Sequence, residues 1–229
     1  MSKWTWFVVL FSRVTLNLAV RVTYPFLPAI ARGLGISFEM AGLLVAARHF
    51  VGLTGALWGL LSEKKGYAWG MVFGLSALFL GSLTVSVSRT FPLALLGFVL
   101  IGLSKPVYDP NVQAFASSRI QYSKRARALG ILESSWAGSW LIGIPLSGLL
   151  IAHFGWQSPF VLISGAALLA IVGTKRLQEV NRSNPNNKES SRQVVSSSGE
   201  EVTGRARPYL ILGVSLLMVF ANENMVIVY

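Results

Sequence analysis

Ionisable and aromatic side chains recur at helical spacing inside otherwise apolar stretches of this chain. Arg13, Asn17, Arg21 and Tyr24 follow at intervals of four, four and three, which puts them on one stripe of a helix. Lys105, Tyr108, Asp109 and Gln113 make a second stripe, with Pro106 and Pro110 loosening the backbone between them. Glu133, Trp136, Ala137 and Trp140 share a third face. Arg48 stands beside Gly52, Gly55 and Gly59, small residues that let helices approach closely. A charge at the centre of a bilayer costs about 2.5–3.5 kcal/mol on insertion scales, so such groups pair or face a wet cavity. Two chemistries follow. One is neutralisation alone, Arg13 with Glu133 and Lys105 with Asp109 (i, i+4). The other is proton uptake on Asp109 or Glu133, with Arg21 and Lys105 contacting a solute.

Other chemistries lack their residues. His49 has no second metal-ligand partner, and His153 falls in a short outer loop, so a packing or surface role is expected for both and no metal site. No paired catalytic acids and no Ser–His arrangement stand at matching depth, so neither an enzyme nor a cofactor is expected. Zero cysteines exclude disulfides and thiolate chemistry.

The elements that position these groups must be membrane helices. The chain has 229 residues, 53% hydrophobic and 13% charged, against about 25% charged in soluble domains. Its mean hydropathy is +0.57. A helical crossing takes about 20 apolar residues, and six segments qualify: 5–30, 40–62, 68–88, 91–117, 128–152 and 157–175. Arg13 interrupts the first, which reads as a membrane helix and not a cleaved signal peptide. A seventh begins at Pro208 and runs to Tyr229. Between them, 176–207 is rich in Ser, Asn, Glu, Arg and Lys, and reads as a disordered linker.

Charge fixes the orientation. With the amino terminus inside, cytoplasmic segments hold Lys3, Lys64, Lys65, Arg119, Lys124, Arg125, Arg127 and seven basic residues at and within the linker. Outer loops hold only Arg32 and Arg89. The net charge of +11 is therefore a positive-inside signal, and no nucleic acid partner is expected. At 1.5 Å per residue, Arg13, Asp109 and Glu133 lie about 8–13 Å from the cytoplasmic edge, close enough in level to pair. By the same count Arg21 and Lys105 fall near the midplane and Arg48 in the outer half. Trp4, Trp6, Trp69 and Trp156 fall near the interfaces, where amphipathic rings anchor helices, which leaves Trp136 and Trp140 as cavity aromatics.

A short string occurs twice, GLLSEKKGY at 59–67 and GLLIAHFGW at 148–156. Only the first copy carries charge, and crossing parity puts the copies on opposite faces of the bilayer. Arg21 with Tyr24 and Lys105 with Tyr108 repeat a basic-x-x-Tyr element at the start of each three-helix group. Two inverted three-helix units account for both repeats.

These residues resemble the major facilitator superfamily. Gly59, Glu63, Lys64 and Gly66 match the spacing of that family's loop between helices 2 and 3, with Glu63 in place of the usual Asp and Tyr67 and Ala68 where basic residues stand. In the family this loop latches the two halves on the cytoplasmic side. Gly143, Pro145 and Gly148 resemble a helix 5 element associated with antiporters, with Ile144 intruding. The loops SKRARALG (123–130) and GWQSPF (155–160), and the phrase RVTYPFLPAIARGLG (21–35), are of the family type. The resemblance implies an all-α polytopic fold: a six-helix bundle of 3+3 inverted repeats over 1–175, a cytoplasmic linker over 176–207 and the first helix of a second bundle over 208–229. Helices 1 and 4 then line a central cavity. The implied activity is transport by alternating access, proton-coupled efflux of a small solute, in the inner membrane with a cytoplasmic amino terminus. Members have about twelve helices, so the chain reads as one half plus one helix. It needs a missing carboxyl-terminal half or a second chain; the alternative is a non-transporting scaffold. Four bases against Asp109 and Glu133 make this half-cavity positive, so either the solute is anionic or the other half adds acids, of which Glu223 is one.

Overall fold

The computed structural model describes residues 3–55, 58, 61, 62, 65–120 and 122–182. The seventh segment, Glu223 and most of the linker lie outside the described residues, as do Gly59, Glu63 and Lys64 of the loop motif. The described part is helical throughout: α1 (Lys3–Arg21), α2 (Thr23–Leu34), α3 (Phe38–Gly52), α4 (Tyr67–Val87), α5 (Phe91–Ser117), α6 (Tyr122–Gly138), α7 (Ile144–Phe154) and α8 (Ser158–Arg182). Residues 55, 58, 61, 62 and 65 are also helical, within or just beyond the second predicted span.

Four described helices are long and apolar enough to cross a membrane, and five if α1 and α2 count as one bent span. The fold is all-α and polytopic.

α1 and α2 meet at 54°. Pro25 explains the bend, because it supplies no amide to the carbonyl of Arg21 and its ring collides with that carbonyl. The fifth span is α6 and α7 joined by a π-helical turn, Ser139–Gly143. Pro145 follows that turn directly and withholds the amide that would bond to the Leu141 carbonyl, which accounts for the shifted register. Two boundaries move from the sequence reading. The basic stretch 123–130 is not a loop but the first two turns of α6, since Lys, Arg, Ala and Leu are good helix formers. α8 continues to Arg182, seven residues past 175.

α4 is the hub, packed against α5 and α8, while α3 packs on α5 and α1 on α8 and α6. Its buried face is a stripe of Gly70, Gly74, Leu75, Leu78, Gly81, Ser82 and Val85. Lipid is as apolar as leucine, so helix association in a bilayer rests on close packing. Gly81 and Gly97 provide it: a Cβ on Gly81 would stand 2.8 Å from the Gly97 carbonyl oxygen. At the carboxyl end of α4, Gln157 donates from Nε2 to the Ser88 carbonyl at 2.6 Å, tying the α7–α8 turn to that helix. Trp156 lies against Gly33, where any side chain would overlap the indole.

Candidate functional site

Arg13 is 3% exposed, yet it is the centre of the charged groups. Its Nη2 donates to Glu133 Oε1 at 3.0 Å and its Nε lies 3.8 Å from Asp109 Oδ1. α1, α5 and α6 therefore converge on one guanidinium. Asp109 also lies 3.5 Å from Lys105 Nζ, one turn back on α5. Lys105 Nζ donates to Asn17 Oδ1 at 2.9 Å, and Asn17 Nδ2 donates to Ser135 Oγ at 3.3 Å. The network thus closes from α1 to α5 and from α1 to α6.

Both pairings read from helical depth, Arg13 with Glu133 and Lys105 with Asp109, are present. The cation is sunk and the acids are not, Asp109 being 20% and Glu133 57% exposed. The Arg13 Nη1 is buried without a hydrogen-bond partner among the described residues.

Eight residues and about 12 Å further along α1, the Arg21 guanidinium lies 4.1 Å from the Trp136 ring centre and 5.3 Å from that of Trp140. The two indoles are neighbours, 6.5 Å apart between centroids. Each face of the cation–π pair is within the range where the ring quadrupole attracts a cation. Gln113 is exposed on α5, one turn past Asp109.

Three expected members belong elsewhere, among them Tyr24, whose hydroxyl lies with Arg48 and His49. Tyr108 does not share the Lys105–Asp109 face: it is fully buried against α4, where a Cβ on Gly74 would meet its own Cβ at 3.0 Å. The reason is angular, since successive helical residues are about 100° apart and Tyr108 falls on the far side of Lys105 from Asp109. Arg48 is likewise buried. Its Nη1 donates to the Val20 carbonyl at 2.7 Å and to Thr23 Oγ1 at 3.2 Å, and its Nη2 to the Tyr24 hydroxyl at 2.8 Å. Arg48 thus satisfies the bend between α1 and α2. Gly102 of α5 makes room for it, since a Cβ there would overlap the Arg48 carbonyl oxygen.

Sequence reasoning left two residues without partners. His49 Nε2 lies 2.9 Å from the Tyr24 hydroxyl, so of the packing and surface roles expected for it the packing one holds, within the Arg48 cluster. Asn111, buried on α5, donates from Nδ2 to Ser62 Oγ at 2.9 Å. A polar carboxamide two positions after Asp109 in an apolar helix was the available signal. Of the loop motif, Gly66 is described: it has φ 93°, and its amide donates to the Ser62 carbonyl at 2.7 Å. Of the helix 5 motif, Gly143 packs on Leu18 and Gly148 on Phe26, whereas Pro145 is exposed behind the π-turn.

Known proteins resemble this chain in sequence and in fold. The chain is 24% identical over 170 residues to the uncharacterized MFS-type transporter YceJ of Bacillus subtilis, covering 74% of this chain and 43% of that protein. It is 26% identical over 170 residues to multidrug resistance protein 2 of the same organism, covering 73% and 42%. The chain thus spans less than half the length of these relatives. Among solved structures, the peptide transporter POT in complex with sulfate matches with TM-score 0.67 at 14% identity, over 96% of this chain and 46% of that one. Such identity speaks for the fold alone. Residues 9–228 match the model of the Major Facilitator Superfamily, and the chain belongs to that superfamily of membrane transporters.

Proposed function

We propose that this chain forms one wall of the central cavity of a proton-coupled transporter that exports a small solute by alternating access. The observation that carries the reading is the Arg13 bridge, in which one buried cation joins two partly exposed carboxylates from different helices. A purely neutralising pair would be expected to bury both partners. Glu133, the more exposed acid, is the one more open to proton exchange with water. Protonation of its carboxylate removes the charge opposite Arg13 and leaves Asp109 as the remaining counter-ion, which weakens the tie between α1 and α6. Deprotonation restores it. Arg21 and Lys105 contact the solute, with Trp136 and Trp140 as its aromatic lining. Efflux is favoured by the relatives named for multidrug resistance and, in Staphylococcus aureus, for quinolone resistance.

The reading includes an inner-membrane location with a cytoplasmic amino terminus, and a second wall supplied by a carboxyl-terminal bundle or another chain. Everted vesicles test it, with the chain extended by the five helices that complete the second bundle and a fluorescent quinolone, which carries a carboxylate, as the probe. Accumulation that collapses with an uncoupler, and is lost in Glu133→Gln and Asp109→Asn, is expected. Accumulation insensitive to the uncoupler or to both substitutions overturns the proposal.

A further inference from the structure

Arg21 ends α1, and Trp136 and Trp140 stand one turn apart where α6 runs into the π-helical turn. The spacing of four brings both indoles to one side, with their rings tilted by 56° to each other. The guanidinium carbon lies over both, nearer to Trp136 than to Trp140. Trp136 is nonetheless 45% exposed, so the contact covers only part of it. Trp140 Nε1 is out of water and has no hydrogen-bond partner among the described residues. An indole N–H can only donate, and a buried donor without an acceptor costs the fold stability. An acceptor delivered to this pair offsets that loss.

The cation seated on the indoles decides what can join it. A second cation meets the charge of Arg21, so the pair is no cage for an amine. An anion meets the N–H groups of the guanidinium, which lie in its plane, whereas stacking engages its face. A carboxylate held by two of those N–H groups is coplanar with the guanidinium. An aromatic ring conjugated to that carboxylate keeps the same plane. Guanidinium, carboxylate and ring then make one flat layer, which extends the contact of Arg21 across the indoles. The carboxylate oxygens also supply an acceptor on the side of Trp140. A saturated ring is puckered and cannot continue the layer.

We infer that Arg21, Trp136 and Trp140 form a subsite for planar aromatic carboxylates. Arg21 is the anion fork, Trp136 the stacking surface and Trp140 the second donor. That the subsite serves the exported solute rests on the transporter reading above. Its chemistry does not, because all three side chains belong to this chain.

Saturation-transfer NMR titration of the full chain in detergent, with empty micelles as the blank, measures binding of naphthoate, naphthamide and decahydronaphthoate. Naphthoate should bind at least about tenfold tighter than its amide, the factor set by one hydrogen-bonded charge. It should bind about threefold to tenfold tighter than the saturated acid, the factor set by an aromatic stack. Arg21→Gln should remove the preference for the acid. Arg21→Lys keeps the charge without the planar fork, so it should retain part of that preference and lose the one for the flat ring. Trp136→Leu should lose the flat-ring preference and keep the acid preference. Trp140→Phe removes the donor and keeps a ring, and should weaken naphthoate roughly fivefold. Arg21→Lys, the milder change, carries the comparison if Arg21→Gln fails to fold. Failure of naphthoate to bind, equal binding of acid and amide, or unchanged selectivity in Arg21→Lys and Trp136→Leu overturns the inference. An acid preference that survives Arg21→Gln intact assigns the anion to another cation and overturns it too. No proton gradient enters this assay, whereas the transport proposal is read from uncoupler-sensitive accumulation, so the two fail separately.

Discussion

Arg13 and Glu133 stand 120 positions apart and share a 3.0 Å hydrogen bond in which the arginine is buried and the carboxylate is more than half exposed. The asymmetry decides what each substitution does. Arg13 depends on its acids, since its Nη1 has no hydrogen-bond partner among the described residues. Glu133 can turn to water, and Asp109 keeps Lys105.

Removing both acids strands a buried cation, whereas removing the cation strands nothing that cannot be solvated. The double variant Asp109→Asn/Glu133→Gln should therefore lose about 3–5 kcal/mol, the range for breaking a buried pair from one side. Arg13→Gln should lose clearly less. Denaturant unfolding in detergent micelles measures both, and equal losses would contradict the asymmetry.

Arg48 supplies donors to three acceptors around the bend of the first span: the Val20 carbonyl, Thr23 and Tyr24. A lysine ammonium has no planar fork and cannot span them. Arg48→Lys should cost about 1.5–3 kcal/mol, the worth of one hydrogen bond to a charged group. Arg89→Lys, on an exposed loop residue, should stay within about 0.5 kcal/mol. Matching unfolding midpoints for the two variants would remove Arg48 from the bend.

How much of this was visible beforehand follows from what a helix encodes. Rise per residue is fixed, so relative height was legible, and Arg13, Asp109 and Glu133 meet as their matching levels predict. Azimuth is only half legible. Stripe spacing grouped Tyr108 with Asp109, but which edge of the stripe turns inward is decided by the partner, here Gly74 of α4. Arg48 shows the same limit, because nothing local says that the Val20 carbonyl needs a donor. Partners across spans, such as Tyr24 with His49 or Ser62 with Asn111, have no sequence spacing to betray them. The basic residues at 123–130 read as a loop from their charge, whereas helix propensity sets their conformation independently.

Lys105 joins Asp109 and Asn17, and Arg21 stacks on Trp136. If the exported solute is an anion, both cations bear on it. In the full transporter, Lys105→Gln and Arg21→Gln should each lower export of an acidic solute at least about tenfold relative to its neutral amide, as expected when one charge-assisted bond is lost. Paired efflux assays on an acid and its amide read the ratio. Equal export of the two compounds, unmoved by either substitution, refutes an anionic preference.

Two glycines on the described helices separate rigid from yielding contacts. A Cβ on Gly102 would overlap the Arg48 backbone carbonyl, which cannot move without displacing α3. A Cβ on Gly143 would meet Leu18 Cδ1 at 2.6 Å, the far end of a flexible side chain. Overpacking against backbone costs about 1–3 kcal/mol, and Gly102→Ala should show that loss. In Gly143→Ala a leucine rotation relieves the contact, and alanine recovers up to about 1 kcal/mol of helix propensity. That variant should be neutral or slightly stabilised. Thermal unfolding of the two proteins distinguishes the cases. A large loss in Gly143→Ala would mean that the π-turn needs its glycine for backbone freedom and not for room, because Leu18 alone cannot account for it.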